Sequence, residues 1–454
     1  MHNNLKRTLM VAPLGGVLIG SFAFGQLVRS RSNPLVTHGI RFTSSEPTGS
    51  ASLLGHKPEQ DDSSPGETFK DVLRYIKSDY VDKIDNDQKL GFGAVKTMLA
   101  SLEDPKTRFL DPAQKKKLLE ELDGSYTGIG AHVTVVKAKK GVIEQRRLSV
   151  IAPIPGGPAE KAGIQPGDII TEIDGHWIIA YDPRLDLDQV KATSSDDKEF
   201  RAAVKVAVKK LTDGTSLPKA LDQLNANKTT DLVLTIEREG VAAPIKATVH
   251  PSAGKLSPVE YADTNGVGYL RITQFNAEAL NAFRDAIKKS EKKPLIVDLR
   301  NNAGGPSYTA VRAGVYGTAM MLIRDLVPSG SVATMVHTGG KTESVDVKGI
   351  DKKRELVVLV NRGTSNIAEM VALALKERGG AKLVGSRTFG DPIFQKFVDL
   401  NGGAAMTFSA AKMLGSMGTD YSLKGITPDV DIASTGPSAT DKVVQRAVAI
   451  LGKA

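Results

Sequence analysis

The sequence predicts a multidomain protein of the α/β class. At 454 residues, the chain is long enough for two or three domains. Apolar runs at 295–297 and 356–360 are typical of strands buried on both faces. Apolar residues at helical spacing occupy 277–290 and 367–375, so the C-terminal half alternates strands with helices, as an α/β core does.

Composition excludes several kinds of function. The net charge of +9 arises from Lys and Arg spread along the chain, without a basic run that carries aromatic residues, so nucleic acid is not an expected partner. The chain has no Cys, which excludes disulfides, thiolate catalysis and zinc–thiolate sites. Its 7 His residues show no metal-ligand spacing, and we predict neither a metal site nor a cofactor.

The N-terminus predicts export. Lys6 and Arg7 precede an apolar stretch at 9–24, which is typical of a signal peptide or membrane anchor over residues 1–28, although a buried core helix is the alternative. Residues 29–66 are rich in Ser, Pro, Gly and Thr and have no periodicity, which indicates a disordered linker. We expect the protein in the periplasm of a bacterium or on the outer face of its inner membrane, tethered to the membrane if the segment is not cleaved.

Residues 67–126 predict an N-terminal helical segment. Helices are expected around 69–80, 90–102 and 112–122, the first with a clear apolar face. The segment is either a simple helical cap or an arm for dimerisation, and the pattern does not separate the two.

A second module follows at 127–253. Its glycine-rich start, the sequence GPAEKAGIQPGDII at 157–170 and IDG at 173–175 together resemble a PDZ domain of the bacterial protease type. This resemblance implies that backbone N–H groups of the first loop converge on a terminal carboxylate while the bound peptide adds as a strand. The expected partners are C-terminal peptides or unfolded protein tails, and the predicted peptide-binding residues are Gly128, Ile129, Gly130 and Ala131.

The PDZ-like module contains more chain than a compact PDZ domain needs. We predict an insertion at about 181–228 that includes a helix at 197–211, with strands of the domain resuming at 231–236. The sequence assigns no function to this insertion.

Residues 355–395 predict a strand, a tight turn, a helix and a second strand. The turn at 361–364 contains Gly363, which accepts turn conformations, and Gly379-Gly380 ends the helix. A strand-to-helix turn of this kind aims the free N–H groups of the first helical residues above the sheet. It is the place where a hydrolase carries its nucleophile.

The segments NRGTSNIAE at 361–369 and TFGDPIFQ at 388–395 resemble the carboxyl-terminal processing proteases, serine peptidases with a PDZ domain (peptidase family S41). DLRNNAGG at 298–305 and GITPDV at 425–430 match further motifs of that family. The resemblance runs from about residue 69 to the C-terminus. It implies an S41-type peptidase core at 254–454 and a homodimer.

The resemblance also assigns roles to positions in the site. The nucleophilic serine of the family falls on Asn366, the general-base lysine falls on Asp391, and the glutamine that orients the lysine is kept as Gln395. Gly304 and Gly305, with the N–H of residue 366, correspond to the oxyanion hole. Because both reactive residues are replaced, we predict no catalytic residue and a pseudoprotease that binds tails without cutting them.

Three alternatives remain open at this point. An active serine endopeptidase could use Ser365 as a shifted nucleophile, although a helical neighbour points about 100° away from position 366. Its base would be Lys382 or Lys412, each requiring backbone rearrangement, whereas Lys396 should point away from Gln395 because neighbouring side chains of an extended segment face opposite ways. A second alternative pairs the carboxyl groups of Asp391 and Glu369, and a third is a structural protein whose PDZ groove is blocked.

Overall fold

The structure is a computed structural model that describes residues 64–452 except 85, 141–142, 182, 184–186, 188–196, 227, 265, 292, 306–314, 351–353 and 434–440. The predicted signal segment and nearly all of the predicted linker lie outside the described residues. The chain divides into two compact units, Met1–Ser101 and Leu102–Ala454. In the described part, no helix is long and apolar enough to cross a membrane.

The first unit contains helices α1 (Pro65–Asp79) and α2 (Asp87–Ala100). Proline begins α1, and the Asn86 side chain caps α2 by accepting from the Lys89 N–H at 3.0 Å. No residue of α1 is buried, and Phe69, Val72 and Tyr75 of its apolar face are exposed.

The second unit begins with strand β1 (Arg108–Leu110), helix α3 (Pro112–Leu122) and strand β2 (Ser125–Gly128). Helix α3 has the predicted bounds because Asp111 and Gln114 form a reciprocal capping box and proline occupies its first position. Strand β1 lies antiparallel to a strand of the C-terminal module, which ties residues 108–110 to that module.

The PDZ domain is a sheet in the order β3-β4-β5-β6-β7, with β8 on β5 and β9 on β8. Its strands are β3 (Ala131–Lys140), β4 (Ile143–Pro153), β5 (Ile169–Ile173), β6 (His176–Ile179), β7 (Thr215–Ser216), β8 (Leu232–Glu237) and β9 (Ile245–Val249). Its helices are α4 (Pro158–Lys161), α5 (Asp197–Thr212) and α6 (Leu217–Leu224). Among the described residues β3 pairs only with β4, so it is an edge strand.

Helices α5 and α6 both fall in the range predicted as an insertion, 181–228. Ala220 and Leu224 of α6 are nevertheless buried in the same apolar cluster as Leu148 and Ile236 of the sheet. Helix α6 therefore packs as part of the PDZ core, whereas α5 buries only Ala207.

The C-terminal module, predicted as a peptidase core, is built on a six-stranded sheet in the order β11-β12-β13-β16-β17-β20. All neighbours are parallel except β11 and β12. The strands are β11 (Val259–Thr264), β12 (Val267–Ile272), β13 (Leu295–Asp298), β16 (Leu356–Val360), β17 (Lys382–Gly385) and β20 (Val430–Asp431). The helices are α7 (Ala277–Lys289), α8 (Val315–Leu326), α9 (Ile367–Glu377) and α10 (Lys442–Ile450).

A second sheet of the core has the order β1-β19-β14-β15, with β18 also on β19. Its remaining strands are β14 (Gly330–Val336), β15 (Thr342–Val347), β18 (Ile393–Asp399) and β19 (Ala405–Gly415). Strand β10 (Ser252–Lys255) pairs with β2, and 3₁₀ turns occur at Thr338–Gly340 and Asn401–Gly403. Since β1 and β18 both pair with β19, residues just before β1 come close to the start of β18.

A buried ion-pair cluster fixes the end of β13 to the C-terminal helix. Arg300 is 1% exposed, and its guanidinium donates to the carboxylates of Asp298 and Asp441. Asp441 also caps α10 by accepting the Val443 N–H at 2.9 Å, and Tyr269 donates to Asp298 at 2.6 Å.

Candidate functional site

The turn between β16 and α9 is fastened to the loop that follows β13. The Asn361 side-chain oxygen accepts the N–H groups of Asn301 and Gly363 at 2.9 and 3.0 Å, and its amide donates back to Asn301 at 2.8 Å. Thr364 donates to the Leu299 carbonyl at 2.9 Å. These side chains hold the strand-to-helix turn in one position above the carboxyl ends of β13 and β16.

Asn366 occupies the last position of this turn in a strained backbone conformation, with φ 49° and ψ −117°. A positive φ at a non-glycine residue is uncommon and marks a turn that the surrounding structure enforces. A sharp, strained strand-to-helix turn is also the backbone setting of the nucleophile in many hydrolases. The turn thus presents residue 366 as a nucleophile would be presented, but the side chain is an amide.

The Asn366 side chain is tied to the start of β18. Its Nδ2 donates to the carbonyls of Ile393 at 2.7 Å and Asp391 at 3.3 Å. Its Oδ1 is buried and has no hydrogen-bond partner among the described residues. The amide therefore bridges the turn and the 391–393 segment and leaves one acceptor unused.

Glu369 also connects the turn at residue 366 to the loop before β18. The residue is fully buried, and its carboxylate accepts the N–H groups of Asn366, Gly390 and Asp391 at 3.0, 2.7 and 2.8 Å as well as the Thr388 hydroxyl. Burial raises the Glu369 pKa from 4.5 to about 7, against these hydrogen bonds and with a contribution from the Asp391 charge. Glu369 organises the loop and does not lie along the outside of the helix.

Asp391 forms an ion pair with Lys106. Lys106 is not among the site residues predicted from the sequence. The Lys106 Nζ contacts Asp391 Oδ2, and the two side chains are 27% and 10% exposed. Asp391 Oδ1 accepts the Ile393 N–H at 3.2 Å. A lysine is therefore present beside position 391, but it comes from a segment 285 residues away in the chain.

The segment that carries Lys106 is held by hydrogen bonds to β18 and β19. Gln395 Nε2 and the Thr407 hydroxyl both donate to the Lys106 carbonyl, at 2.9 and 3.0 Å. Asp104 accepts from the Thr107 and Ser409 hydroxyls, each at 2.6 Å. Burial alone would raise the Asp104 pKa, but these hydrogen bonds hold it below its usual value. Gln395 therefore positions the backbone of Lys106.

The predicted oxyanion-hole residues lie together above the sheet. The Gly304 N–H donates to Asn302 Oδ1 at 2.9 Å, and the Asn366 N–H donates to Glu369, so both have acceptors inside the protein. A Cβ at Gly304 would lie 2.8 Å from the Ile367 nitrogen and closer still to the Ser365 carbonyl. Only glycine fits this contact. Gly305 follows with φ 75° and borders α8 through Val315.

Ser365 is enclosed within the protein next to the strained turn. The residue is fully buried, its N–H donates to the Asn302 carbonyl at 3.0 Å, and its hydroxyl has no hydrogen-bond partner in the described part of the chain. Lys396 is exposed on the opposite side of β18 from Gln395. The structure does not bring a lysine amine into hydrogen-bond contact with the Ser365 hydroxyl.

The loop at 128–131 of the PDZ domain lies against the end of helix α6. The Ile129 N–H donates to the Leu224 carbonyl at 2.8 Å, and the Ile129 carbonyl accepts the Ala159 N–H at 2.8 Å. A Cβ at Gly128 would lie 2.7 Å from the Asn225 Cα, so this approach requires glycine. One N–H group expected to meet a peptide carboxylate is therefore already paired.

The edge strand β3 and helix α6 both carry partly buried apolar side chains. These residues pack against the PDZ core cluster: Ala131, Val133, Val135, Leu217 and Leu221. An exposed strand edge bordered by apolar side chains is the setting in which an extended peptide adds to a sheet.

Comparisons with known proteins agree with this architecture. The sequence model of peptidase family S41 matches residues 266–432, and the model of a PDZ domain matches residues 149–192. The chain is 32% identical over 371 residues to the chloroplastic C-terminal processing peptidase of Tetradesmus obliquus, covering 80% of this chain and 72% of that protein. It is 30% identical over 393 residues to the carboxy-terminal processing protease CtpA of Bacillus subtilis, covering 84% and 72%.

Among solved structures, the photosystem II D1 C-terminal processing protease superposes with a TM-score of 0.57 at 27% identity, covering 80% of this chain and 86% of that one. The fold is thus that of a C-terminal processing protease with a PDZ domain and an α/β core, as the sequence predicted. The chain belongs to peptidase family S41.

Proposed function

We propose that this protein is a catalytically inactive C-terminal processing peptidase that binds the C-terminal tails of proteins through its PDZ domain. One observation carries the proposal. The residue presented by the strained turn is Asn366, whose amide is fixed to backbone carbonyls of the 391–393 segment.

The chemistry of a serine–lysine peptidase needs a hydroxyl within hydrogen-bond reach of a neutral amine. An asparagine amide is not a competent nucleophile for hydrolytic turnover, and Asp391 is a carboxylate in an ion pair. The shifted site at Ser365 lacks support because that hydroxyl is fully buried and has no lysine as a partner in the described part of the chain. The carboxylate pair of Glu369 and Asp391 lacks support because Glu369 already accepts four hydrogen bonds.

Tail binding is supported by the free edge of β3 and the apolar side chains beside it. A peptide that adds along β3 would place its C-terminus at the 128–131 loop. There its carboxylate must compete with the Leu224 carbonyl for the Ile129 N–H. A full negative charge competes better than a neutral carbonyl, so a free C-terminus is required.

Export and membrane tethering remain part of the proposal and rest on the sequence of residues 1–28 alone. A location in the bacterial envelope would place the PDZ domain among exported and unfolded tails. Dimerisation through the N-terminal helical segment is likewise proposed from the family resemblance.

The test is a comparison of two peptides that share an apolar C-terminal sequence and differ only in a free or an amidated C-terminus. We expect the free acid to bind about tenfold or more tightly by fluorescence anisotropy, because a hydrogen bond to a charged group contributes about 1.5–3 kcal/mol. Equal affinity for both peptides would refute carboxylate recognition.

A matched pair of variants assigns the binding to the loop. Gly128→Ala introduces a Cβ that collides with residues 224–225, and Gly240→Ala introduces the same strain at φ 80° with no atom within 4 Å. Binding should be lost in the first variant and kept in the second. Binding that survives Gly128→Ala would place the peptide elsewhere.

A further inference from the structure

The site contains a lysine even though position 391 does not supply one. Lys106 enters from the segment before β1, and its ammonium contacts the Asp391 carboxylate, which is 10% exposed. Asp391 in turn is joined to Asn366, because the Asp391 carbonyl accepts from Asn366 Nδ2 at 3.3 Å. Asp391 therefore contacts Lys106 through its side chain and Asn366 through its backbone carbonyl, and both residues meet the chain at position 391.

Lys106 is held in this place by its backbone. Its carbonyl receives hydrogen bonds from Gln395 and Thr407, and its N–H donates to Asp104 Oδ1 at 3.0 Å. Asp104 is itself fixed by Ser409 of β19. Because three hydrogen bonds hold the Lys106 backbone on both sides of its Cα, a fixed segment carries the amine to Asp391.

We propose that Lys106 is the lysine of this site and that Asp391 is its counter-ion, so that the segment before β1 supplies the positive charge while position 391 carries a negative one. The proposal rests on the proposed function only in taking residues 366 and 391 as no longer catalytic. It does not depend on tail binding by the PDZ domain.

This arrangement disables the site in two independent ways. Residue 366 offers no hydroxyl, and the Lys106 amine is engaged as a hydrogen-bond donor to the Asp391 carboxylate. Lys106 and Asp391 also tie the 104–107 segment across the start of β18. A serine at 366 would therefore still lack a base until the Asp391 charge is removed.

In the double variant N366S/D391N, each proton transfer of the reaction has a donor and an acceptor. The introduced hydroxyl attacks the peptide carbonyl and gives its proton to the neutral Lys106 amine. The ammonium then protonates the leaving peptide nitrogen as the C–N bond breaks and the ester remains. Water next adds to the ester while the amine takes its proton, and the ammonium returns that proton to the side-chain oxygen at 366 as the acid product leaves. No metal or redox partner enters any step.

The activity test compares N366S, N366S/D391N and N366S/D391N/K106R on an unfolded protein substrate. We expect measurable cleavage only for N366S/D391N. Arginine keeps the positive charge but cannot act as a base, so K106R should lower the rate by about 100-fold or more. Unchanged activity in K106R, or a folded N366S/D391N without activity, would overturn the proposal.

A second measurement needs no activity. The singles K106D and D391K each place like charges together and should lower Tm, whereas the double variant K106D/D391K restores an ion pair with reversed charges and should recover most of that loss. If the double variant is as unstable as the sum of the singles, the two side chains are not partners. Peptide binding by the PDZ domain, measured on the same variants, reports the proposed function separately.

Discussion

Glu369 gives the stability of the core an unusual dependence on pH. In the folded protein its pKa is about 7, whereas the ordinary value is 4.5. Between these pH values the folded state binds a proton that the unfolded state has released, so stability falls as pH rises. The contribution is fully present below pH 4.5 and is lost above pH 7.

The magnitude follows from the difference between the two pKa values. At about 1.4 kcal/mol for each pH unit, a difference of about 2.5 corresponds to about 3 kcal/mol of unfolding free energy. The half-buried His132 acts in the opposite sense, because desolvation lowers its pKa to about 4 and stability rises with pH between about 4 and 6.5. The effect of Glu369 must therefore be isolated by comparison with a variant that keeps His132.

Glu369→Gln removes the titrating group and keeps the side-chain volume. The variant is less stable overall, because an amide cannot accept all four hydrogen bonds. Urea denaturation at pH 5, 6, 7 and 8 should show that the stability difference between wild type and variant shrinks by about 2.5 kcal/mol across this range, because part of the contribution is already lost at pH 5. A difference that stays constant or grows with pH would refute the account of the buried carboxyl group.

Two further perturbations test the geometry of the core. Gly304→Ala should lower the free energy of unfolding by about 3 kcal/mol, because backbone strain at φ 75° adds to overpacking against the 365–367 turn. The control Gly380→Ala has a similar φ of 74° but no atom within 4 Å, and should lower it by only about 1 kcal/mol. Equal losses in urea denaturation would show that the 365–367 turn moves to accommodate the new Cβ. Arg300→Leu leaves the buried carboxylates of Asp298 and Asp441 without a cation and should lower the free energy of unfolding by about 3–5 kcal/mol. A loss below about 1 kcal/mol in urea denaturation would show that this ion-pair cluster does not stabilise the folded protein.

Local patterns predicted much of the core. The apolar run of β16, the turn at Gly363 and the helical spacing of α9 lie within a short stretch of chain, so each could be inferred from neighbouring residues. The bounds of α3 followed from its capping residues for the same reason. The family motifs at 361–369 and 388–395 then identified residues 366 and 391 as the positions that correspond to the nucleophile and the base.

Contacts between distant segments could not be inferred in this way. Lys106 and Asp391 meet only because β1 and β18 both pair with β19, and no local signal marks the lysine as part of the site. The Ile129 contact with Leu224 depends on where helix α6 packs, which the sequence had left inside an insertion of unknown role. The hydrogen bonds from the loop at 388–391 to the Glu369 carboxylate likewise join segments that are separate in the sequence.

The most direct test of the account is a search for proteolysis by the unmodified protein. Purified protein would be incubated with an unfolded substrate that bears an apolar free C-terminus, and fragments would be counted by mass spectrometry beside a sample without the protein. We predict equal, background amounts of fragments in both samples, and no change with Ser365→Ala. Fragments that accumulate in proportion to the protein and disappear in Ser365→Ala would contradict the claim that this member of family S41 has lost its peptidase chemistry.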